Sequence, residues 1–222
     1  MSDVLLEMDE AMRQERMANI WKNYGSYIIG FIVLTILGTA VFAGYQSWSE
    51  NRRIEQTDAL ISIQENPSYP DNVLNGEADI NALDGSVRGL LLLGAAGSLM
   101  DLERADDALG VYERAAVDTE IDQQFRQLAG LMVVRLSLGQ DDADKDELLG
   151  YLTPIVADKT SSWRLHALLE SALVKAHLGL DYQGAIEDLA IIEAQENAPQ
   201  SLQEKVKALS ALYTLKLNSG VQ

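Results

Sequence analysis

The strongest hydrophobic pattern in the chain is an uncharged apolar run near its N-terminus. Residues 24–45 read YGSYIIGFIVLTILGTAVFAGY and contain no Asp, Glu, Lys or Arg. A helix of about 20 apolar residues is long enough to cross the hydrocarbon core of a bilayer. Trp21 precedes the run and Trp48 follows it, as is typical of the two membrane interfaces. The sequence therefore predicts a transmembrane helix over residues 24–45.

A cleavable signal peptide is the alternative interpretation of this run. Val41, Phe42 and Ala43 resemble a small-residue cleavage site. However, the segment before the run is net acidic, and the run is longer than the apolar core of an ordinary signal peptide. We therefore interpret it as an uncleaved anchor, preceded over residues 1–23 by a short amphipathic leader.

Small residues recur within the predicted span. Thr35, Thr39 and Ala43 follow one another at intervals of four, and Gly30 and Gly38 are eight residues apart. Such stripes form interfaces between some membrane helices, and they are also common in membrane spans in general. The sequence does not distinguish an interface from the ordinary composition of a membrane span. These five residues are therefore a candidate membrane-helix interface.

Residues 46–222 form the predicted domain after the span. The segment from Glu50 to Gln64 has a helical pattern, and its candidate buried positions are Ile54, Leu60, Ile61 and Ile63. Pro, Asn and Gly then interrupt the pattern over residues 66–85, where we expect an irregular loop.

Helix pairs with an internal repeat are predicted after this loop. A helix from Leu90 to Leu102 contains Ala95-Ala96, and Ala129-Gly130 follows 34 residues later, at the tetratricopeptide period. Small residues at these positions let two helix backbones approach closely. The predicted packing positions of the three pairs are Ala95, Ala96, Ala108, Tyr112, Ala115, Ala129, Gly130, Ala172, Ala176, Ala185 and Leu189.

The predicted fold class is all-α: one N-terminal transmembrane helix followed by a tetratricopeptide-like α-solenoid of about three helix pairs. The interval from Ala108 to Ala185 exceeds two periods, so we expect an insertion in the middle repeat, at the polar segment Gly139 to Asp146. An ordinary helical bundle is the alternative, because alanine pairs are common and the first pair lacks the Trp and Pro of the repeat pattern.

Charge restricts the partners of this chain. Its net charge of −17 repels phosphate backbones, and no basic stripe with interleaved aromatic residues offers an exception, so nucleic acid is not an expected partner. The acidity serves solubility in any case. If the domain binds proteins, its carboxylates should steer basic segments towards it, and salt should weaken that steering.

Basic residues near the span predict its orientation. Arg13, Arg16 and Lys22 precede the span, whereas Arg52 and Arg53 follow it. This small excess predicts a cytoplasmic N-terminus and an extracytoplasmic domain. The absence of Cys fits either compartment.

No constellation of residues predicts an enzyme, a cofactor or a metal. The chain has no Cys, and its two histidines, His166 and His177, are expected about 16 Å apart on one helix, too far to hold one metal ion. The acidic run at residues 141–147 begins like a calcium loop. However, Glu147 stands where that loop needs Gly, and Thr153 where it needs a bidentate Glu. We therefore expect a solvated loop and a non-enzymatic protein.

Several local motifs resemble a known family. They are the Trp-Lys-x-Tyr-Gly start of the span at Trp21, the Ser-Trp-Arg opening of the third pair at Ser162, and the Ala-Pro-x-x-Leu turn at Ala198. Over nearly its whole length the chain resembles the membrane-anchored tetratricopeptide-like family typified by the bacterial ancillary subunit of the SecYEG translocon, in its alphaproteobacterial form. The loop at 66–85 departs from the family pattern, which has a helix there.

This resemblance implies a location and partners. It implies a single-pass protein of the bacterial inner membrane with a periplasmic domain, which binds proteins near the Sec translocon and periplasmic chaperones or clients. The alternative is a structural accessory subunit that contacts another inner-membrane complex through its transmembrane helix. Membrane lipid would then be a partner only through the one span.

Overall fold

The computed structural model describes residues 34–35 and 37–220, and all regular elements within them are α-helical. The chain divides into two units, Met1–Glu55 and Gln56–Gln222. In the first unit, residues 34–35 and 37–55 are helical. The predicted leader and the first part of the predicted span, including Gly30, lie outside the described residues. Among the described residues, no helix combines the length and hydropathy needed to cross a membrane.

The second unit begins at Gln56, ten residues after the predicted start of the domain. Its helical residues 56–64 are α1 here. The helices that follow are α2 (Asp71–Leu74), α3 (Gly85–Asp101), α4 (Ala105–Val117), α5 (Gln123–Ser137), α6 (Lys145–Ala157), α7 (Arg164–Leu178), α8 (Tyr182–Glu193) and α9 (Gln200–Asn218).

From α3 onwards the helices form a consecutive array. Each helix packs on the one before it and the one after it, from α3 through α9. In addition, α3 contacts α5 and α5 contacts α7, so these three helices form one layer of the array. Each hairpin therefore stacks on the next through both of its helices, because α4 also packs on α5 and α6 on α7.

The helix pairs are longer than the predicted period of 34. First helices begin at Gly85, Gln123, Arg164 and Gln200, so successive starts lie 38, 41 and 36 residues apart. In the structure Ala95 is the eleventh residue of α3, whereas Ala129 is the seventh of α5. Counted from the helix starts, the predicted period is thus four residues too short, which is close to one helical turn and leaves each residue on nearly the same face.

The connections within pairs explain part of the extra length. The α3–α4 and α7–α8 connections have three residues each, 102–104 and 179–181, and the middle residue of each has a left-handed backbone. The α5–α6 connection is longer and covers residues 138–144. Lys145 and Asp146, predicted to be in the insertion, already belong to α6, because the Asp144 side chain accepts hydrogen bonds from the backbone N–H groups of Asp146 and Glu147.

The segment between α1 and α3 is mostly turns, with the four-residue helix α2 inside it. Two arginines of the α4 region hold it in place. Arg104 Nη1 donates to Asp71 Oδ1 at 2.7 Å, and Arg114 Nη1 donates to the carbonyls of Val73 and Leu74. Gln56 also accepts a hydrogen bond from the Asp84 backbone at 2.7 Å. The loop is therefore bound to the helices although it has little regular structure.

Three clusters of buried side chains form the core of the second unit. One joins α3, α4 and the middle of α5, a second joins α7, α8 and α9, and a third lies among α5, α6 and α7. Leu60 and Ile63 of α1 pack on the first cluster. Ile61 of α1 is exposed although it was predicted to be buried, since only one face of α1 packs on this cluster. Ile54 of the first unit, also predicted to be buried, is exposed as well.

Ala172 tests the close approach of helices in the second cluster. Its side chain is fully buried, so we expect Ala172→Leu to overpack the contact and lower the free energy of unfolding by about 1–3 kcal/mol. Ala190→Leu, at an exposed alanine of α8, is the matched control and should change it little. Denaturant unfolding followed by circular dichroism measures both. Equal stability of the two variants would show that position 172 has room for a larger side chain.

Candidate functional site

An ion pair joins two helices of the stacked layer. Arg135 on α5 donates from Nη2 to Oε1 of Glu170 on α7 at 2.6 Å, and from Nε to the same oxygen at 3.1 Å. The Glu170 side chain is 3% exposed, whereas that of Arg135 is 55% exposed. Because a buried carboxylate without a partner is costly, this contact fixes the position of α7 relative to α5.

A second polar cluster joins α7 to α8. Asp188 Oδ2 accepts hydrogen bonds from the Ser171 hydroxyl and from Lys175 Nζ, both at 2.6 Å. All three side chains are mostly shielded from solvent. Together with Arg135 and Glu170, this cluster holds α5, α7 and α8 in a defined arrangement.

A large open cleft lies where α5 begins and the α6–α7 connection passes it. Its volume is about 790 Å³. The walls combine apolar, amide, hydroxyl and carboxylate groups, and among the lining residues are Asp122, Gln124, Phe125, Leu128, Asp158 and Trp163. Neither Lys nor Arg is among the residues that line the cleft. Such a volume accommodates a ligand of several side chains.

Hydrogen bonds to α5 position the connection that forms one wall. Trp163 donates from Nε1 to the Gln124 carbonyl at 3.0 Å, and the Ser161 hydroxyl donates to Gln127 Oε1 at 2.7 Å. The Gln123 side chain donates to Asp158 Oδ2 at 3.2 Å. The wall is thus attached to the first turn of α5, and the indole ring is held at the cleft.

The carboxylates give the cleft its charge. The hydrogen bond from the Thr160 hydroxyl, and after it the bond from the Thr160 backbone N–H, lower the pKa of Asp158 below its ordinary value. Asp158 is therefore ionised at neutral pH. Asp122 precedes α5, and its side chain makes no capping hydrogen bond there. A cleft with carboxylates and aromatic rings suits a segment that carries basic and apolar side chains.

All eleven predicted packing positions are buried. Ala95, Ala96, Ala108, Tyr112, Ala115 and Ala129 belong to the first cluster, and Ala172, Ala176, Ala185 and Leu189 belong to the second. Gly130 faces Tyr151 of α6, since a Cβ at Gly130 would lie 3.6 Å from the Tyr151 side chain. These residues form helix contacts and do not line the cleft.

The described residues of the candidate membrane-helix interface have exposed side chains. Thr35, Gly38, Thr39 and Ala43 are all exposed. Thr39 Oγ1 donates to the Thr35 carbonyl at 2.8 Å, and a Cβ at Gly38 would meet no atom within 4 Å.

The cleft and the third core cluster were not predicted from the sequence. The third cluster could have been, because Leu148, Leu152 and Ile155 of α6 follow the helical spacing of four and three that indicates a buried face. For the cleft, only Trp163 stood out in the sequence. Asp122 and Gln124 had no signal, since their role depends on a connection about 35 residues further along the chain.

The two histidines lie on α7, as predicted, and both are exposed. In the acidic run, Asp144 is the N-cap of α6. Among the described residues, no group of three or more His, Asp or Glu side chains is arranged to hold a metal ion.

Comparisons of the chain with protein-family models, with curated proteins and with solved structures found no match.

The Arg135–Glu170 pair provides a test of how the layer is held. Arg135→Met leaves Glu170 buried without its partner, and we expect a loss of roughly 2–3 kcal/mol in the free energy of unfolding. The double variant Arg135→Met, Glu170→Met should recover part of that loss, because no buried charge remains. Arg126→Met is the control, since the other arginine of α5 makes no ion pair with a described residue. A double variant less stable than Arg135→Met would show that the unpaired Glu170 carboxylate is not the cause of the loss.

Proposed function

We propose that this protein is a non-enzymatic, membrane-anchored protein-interaction module. In this proposal residues 24–45 anchor it in the bacterial inner membrane, and the second unit is a tetratricopeptide-like α-solenoid on the periplasmic side. There it acts as an ancillary subunit at the Sec translocon and holds or hands over exported proteins or chaperones. The location and the translocon rest on the apolar run, the basic residues beside it and the family resemblance.

The observation that carries the proposal is the stacked layer of α3, α5 and α7 with a large cleft beside it. Arrays in which each hairpin stacks on the next present extended surfaces, and such surfaces bind polypeptides. The connection that lines the cleft is attached to α5 by hydrogen bonds, so the cleft is formed before a ligand arrives.

The composition of the cleft favours a polypeptide ligand. Trp163, Phe125 and Leu128 offer apolar contact, and Gln124 offers an amide for hydrogen bonds to an extended backbone. Asp122 and Asp158 favour Lys or Arg on the same segment. We infer that the cleft holds an extended segment with basic and apolar side chains, as an unfolded client would present.

A structural accessory subunit is the second candidate function, and a separate observation favours it. Thr35, Thr39 and Ala43 recur at intervals of four with Gly38 among them, and small residues at such spacing would allow another helix to approach closely. In that case the partner binds the anchor, and the helical array serves another purpose.

Exchange of the anchor distinguishes the two functions. Residues 24–45 are replaced by an unrelated single span, and partner recovery after crosslinking in native membranes is compared with that of the unchanged chain. The protein-interaction module predicts that translocon components and exported clients are recovered about equally from both chains. Loss of these partners on exchange would favour the accessory subunit.

The cleft is tested in the same experiment by a matched pair of substitutions. Ser162→Arg places a bulky cation at the cleft, and Ser201→Arg places one at an exposed serine near the start of α9. We expect Ser162→Arg to reduce client recovery at least severalfold and Ser201→Arg to leave it unchanged. Equal recovery with both variants would mean that the cleft does not bind the client.

A further inference from the structure

A second site lies at the C-terminal end of the array. A groove of about 290 Å³ opens between the end of α7, the start of α8 and the C-terminal half of α9. The residues that line it include His177, Leu180, Tyr182, Leu212, Tyr213 and Lys216. This C-terminal groove shares no lining residue with the cleft at α5.

A buried hydroxyl without a partner is the first unusual feature of this groove. The Tyr213 side chain is 3% exposed, and its hydroxyl makes no hydrogen bond with a described residue. Burial, and to a lesser extent the neighbouring Tyr182, raise the pKa of Tyr213 above its ordinary value. The phenol is therefore protonated at physiological pH and has a hydrogen to donate. Buried hydroxyls are normally paired, so this one is poised for an acceptor from outside the chain.

The backbone conformation at Leu180 is the second unusual feature of the groove. Its φ of +50° lies in the left-handed region, which favours Gly or Asn. Glu103 has the same conformation at the equivalent place in the α3–α4 connection, so the turn itself requires a left-handed residue. The turn does not require a bulky apolar side chain, and yet Leu180 is exposed beside the groove. The strain is thus accepted at a position where a leucine can contact a ligand.

The positive charge of α9 is the third unusual feature of the groove. The chain as a whole carries −17, whereas α9 contains Lys205, Lys207 and Lys216 against the single acidic residue Glu204. Lys216 lines the groove and makes no ion pair with a described residue. Leu212 lies one turn before Lys216, and Leu215 lies three residues after Leu212; both leucines are exposed. The surface therefore combines exposed leucines with the cation of Lys216.

We propose that the C-terminal groove and the adjoining face of α9 bind an acidic amphipathic helix of a partner protein. Its apolar residues pack on Leu180, Leu212 and Leu215, and one carboxylate accepts hydrogen bonds from the Tyr213 hydroxyl and from Lys216 Nζ. A second copy of α9 is a poor occupant of this surface, because it offers only one carboxylate, Glu204, to Lys216 and the Tyr213 hydroxyl. The site goes beyond the proposed function, since it lies apart from the cleft and selects the opposite charge.

The probes are two acetylated and amidated peptides, one with two repeats of ELAALEA and one in which every Glu is replaced by Lys. Their binding to the full chain in nanodiscs of zwitterionic lipid is measured by fluorescence anisotropy. Non-specific attraction to a chain of charge −17 favours the basic peptide, and so does the cleft at α5. Binding of the acidic peptide to a site at α9 is therefore distinguishable from non-specific attraction and from binding at the cleft. We expect the unchanged chain to bind the acidic peptide at least tenfold more tightly than Tyr213→Phe does.

Tyr213→Phe removes only the unpartnered hydroxyl. We expect it to weaken binding of the acidic peptide roughly tenfold or more, the usual effect of losing a hydrogen bond to a charged group. Tyr112→Phe, at a buried tyrosine of the first core cluster, should leave the affinity unchanged. Neither variant should change binding of the basic peptide.

Leu180→Asn and Glu103→Asn form a second matched pair. Both place a residue that tolerates the left-handed conformation in an equivalent turn, so both should raise the unfolding temperature. Only Leu180→Asn should weaken binding of the acidic peptide, by severalfold. A gain in stability with an unchanged affinity would show that Leu180 does not contact the ligand.

Two further results would overturn the proposal. One is an acidic peptide that fails to bind, or that binds Tyr213→Phe and the unchanged chain equally well. The other is a dimer of the full chain, seen by analytical ultracentrifugation, that dissociates on Leu215→Asp, since the occupant would then be a second copy. Loss of client capture at the cleft would leave the proposal standing, so its failure and that of the proposed function are distinguishable.

Discussion

Close approach of neighbouring helices is the constraint on which the second unit depends. Ala95, Ala108 and Ala129 in the first cluster, and Ala172 and Ala185 in the second, are all fully buried. Because alanine fills little space, helix axes can approach and the larger leucines and valines around them fill the grooves. The array, its layer of α3, α5 and α7, and the clefts beside that layer all follow from this spacing. The Arg135–Glu170 pair then fixes one of these contacts where apolar packing alone would allow sliding.

The burial of side chains was easier to predict from the sequence than the lengths of the helices and repeats. Alanine and leucine at helical spacing identified the helices after residue 85 and every predicted packing position, because burial depends on the face of a helix and survives an error of one turn. The period of 34 did not hold, since helix ends are set by local features such as the Asp144 cap and the left-handed residues Glu103 and Leu180. Ile54 and Ile61 were wrongly predicted to be buried, because periodicity identifies an apolar face without saying whether a partner covers it.

Neither candidate site could be predicted from local sequence. The cleft needs Gln123 and Gln127 on α5 to meet Asp158 and Ser161, which are about 35 residues away in the chain. The C-terminal groove needs the end of α7 beside α9. Both depend on long-range packing, and the residues involved are ordinary polar and apolar types. Asp122 and Asp158 line the cleft whereas Lys216 lines the groove, so net charge alone is a poor guide to the local charge of a surface.

In the proposed function, the cleft at α5 captures basic segments of client polypeptides. Stopped-flow fluorescence tests this by measuring the association rate of the full chain with an unfolded basic client at low and at physiological salt. We expect capture to slow clearly with salt while dissociation changes less. We also expect Asp122→Asn to reduce this salt dependence more than Asp106→Asn, a substitution at an exposed acid of α4. An association rate that does not respond to ionic strength, or that responds equally in both variants, would contradict this proposal.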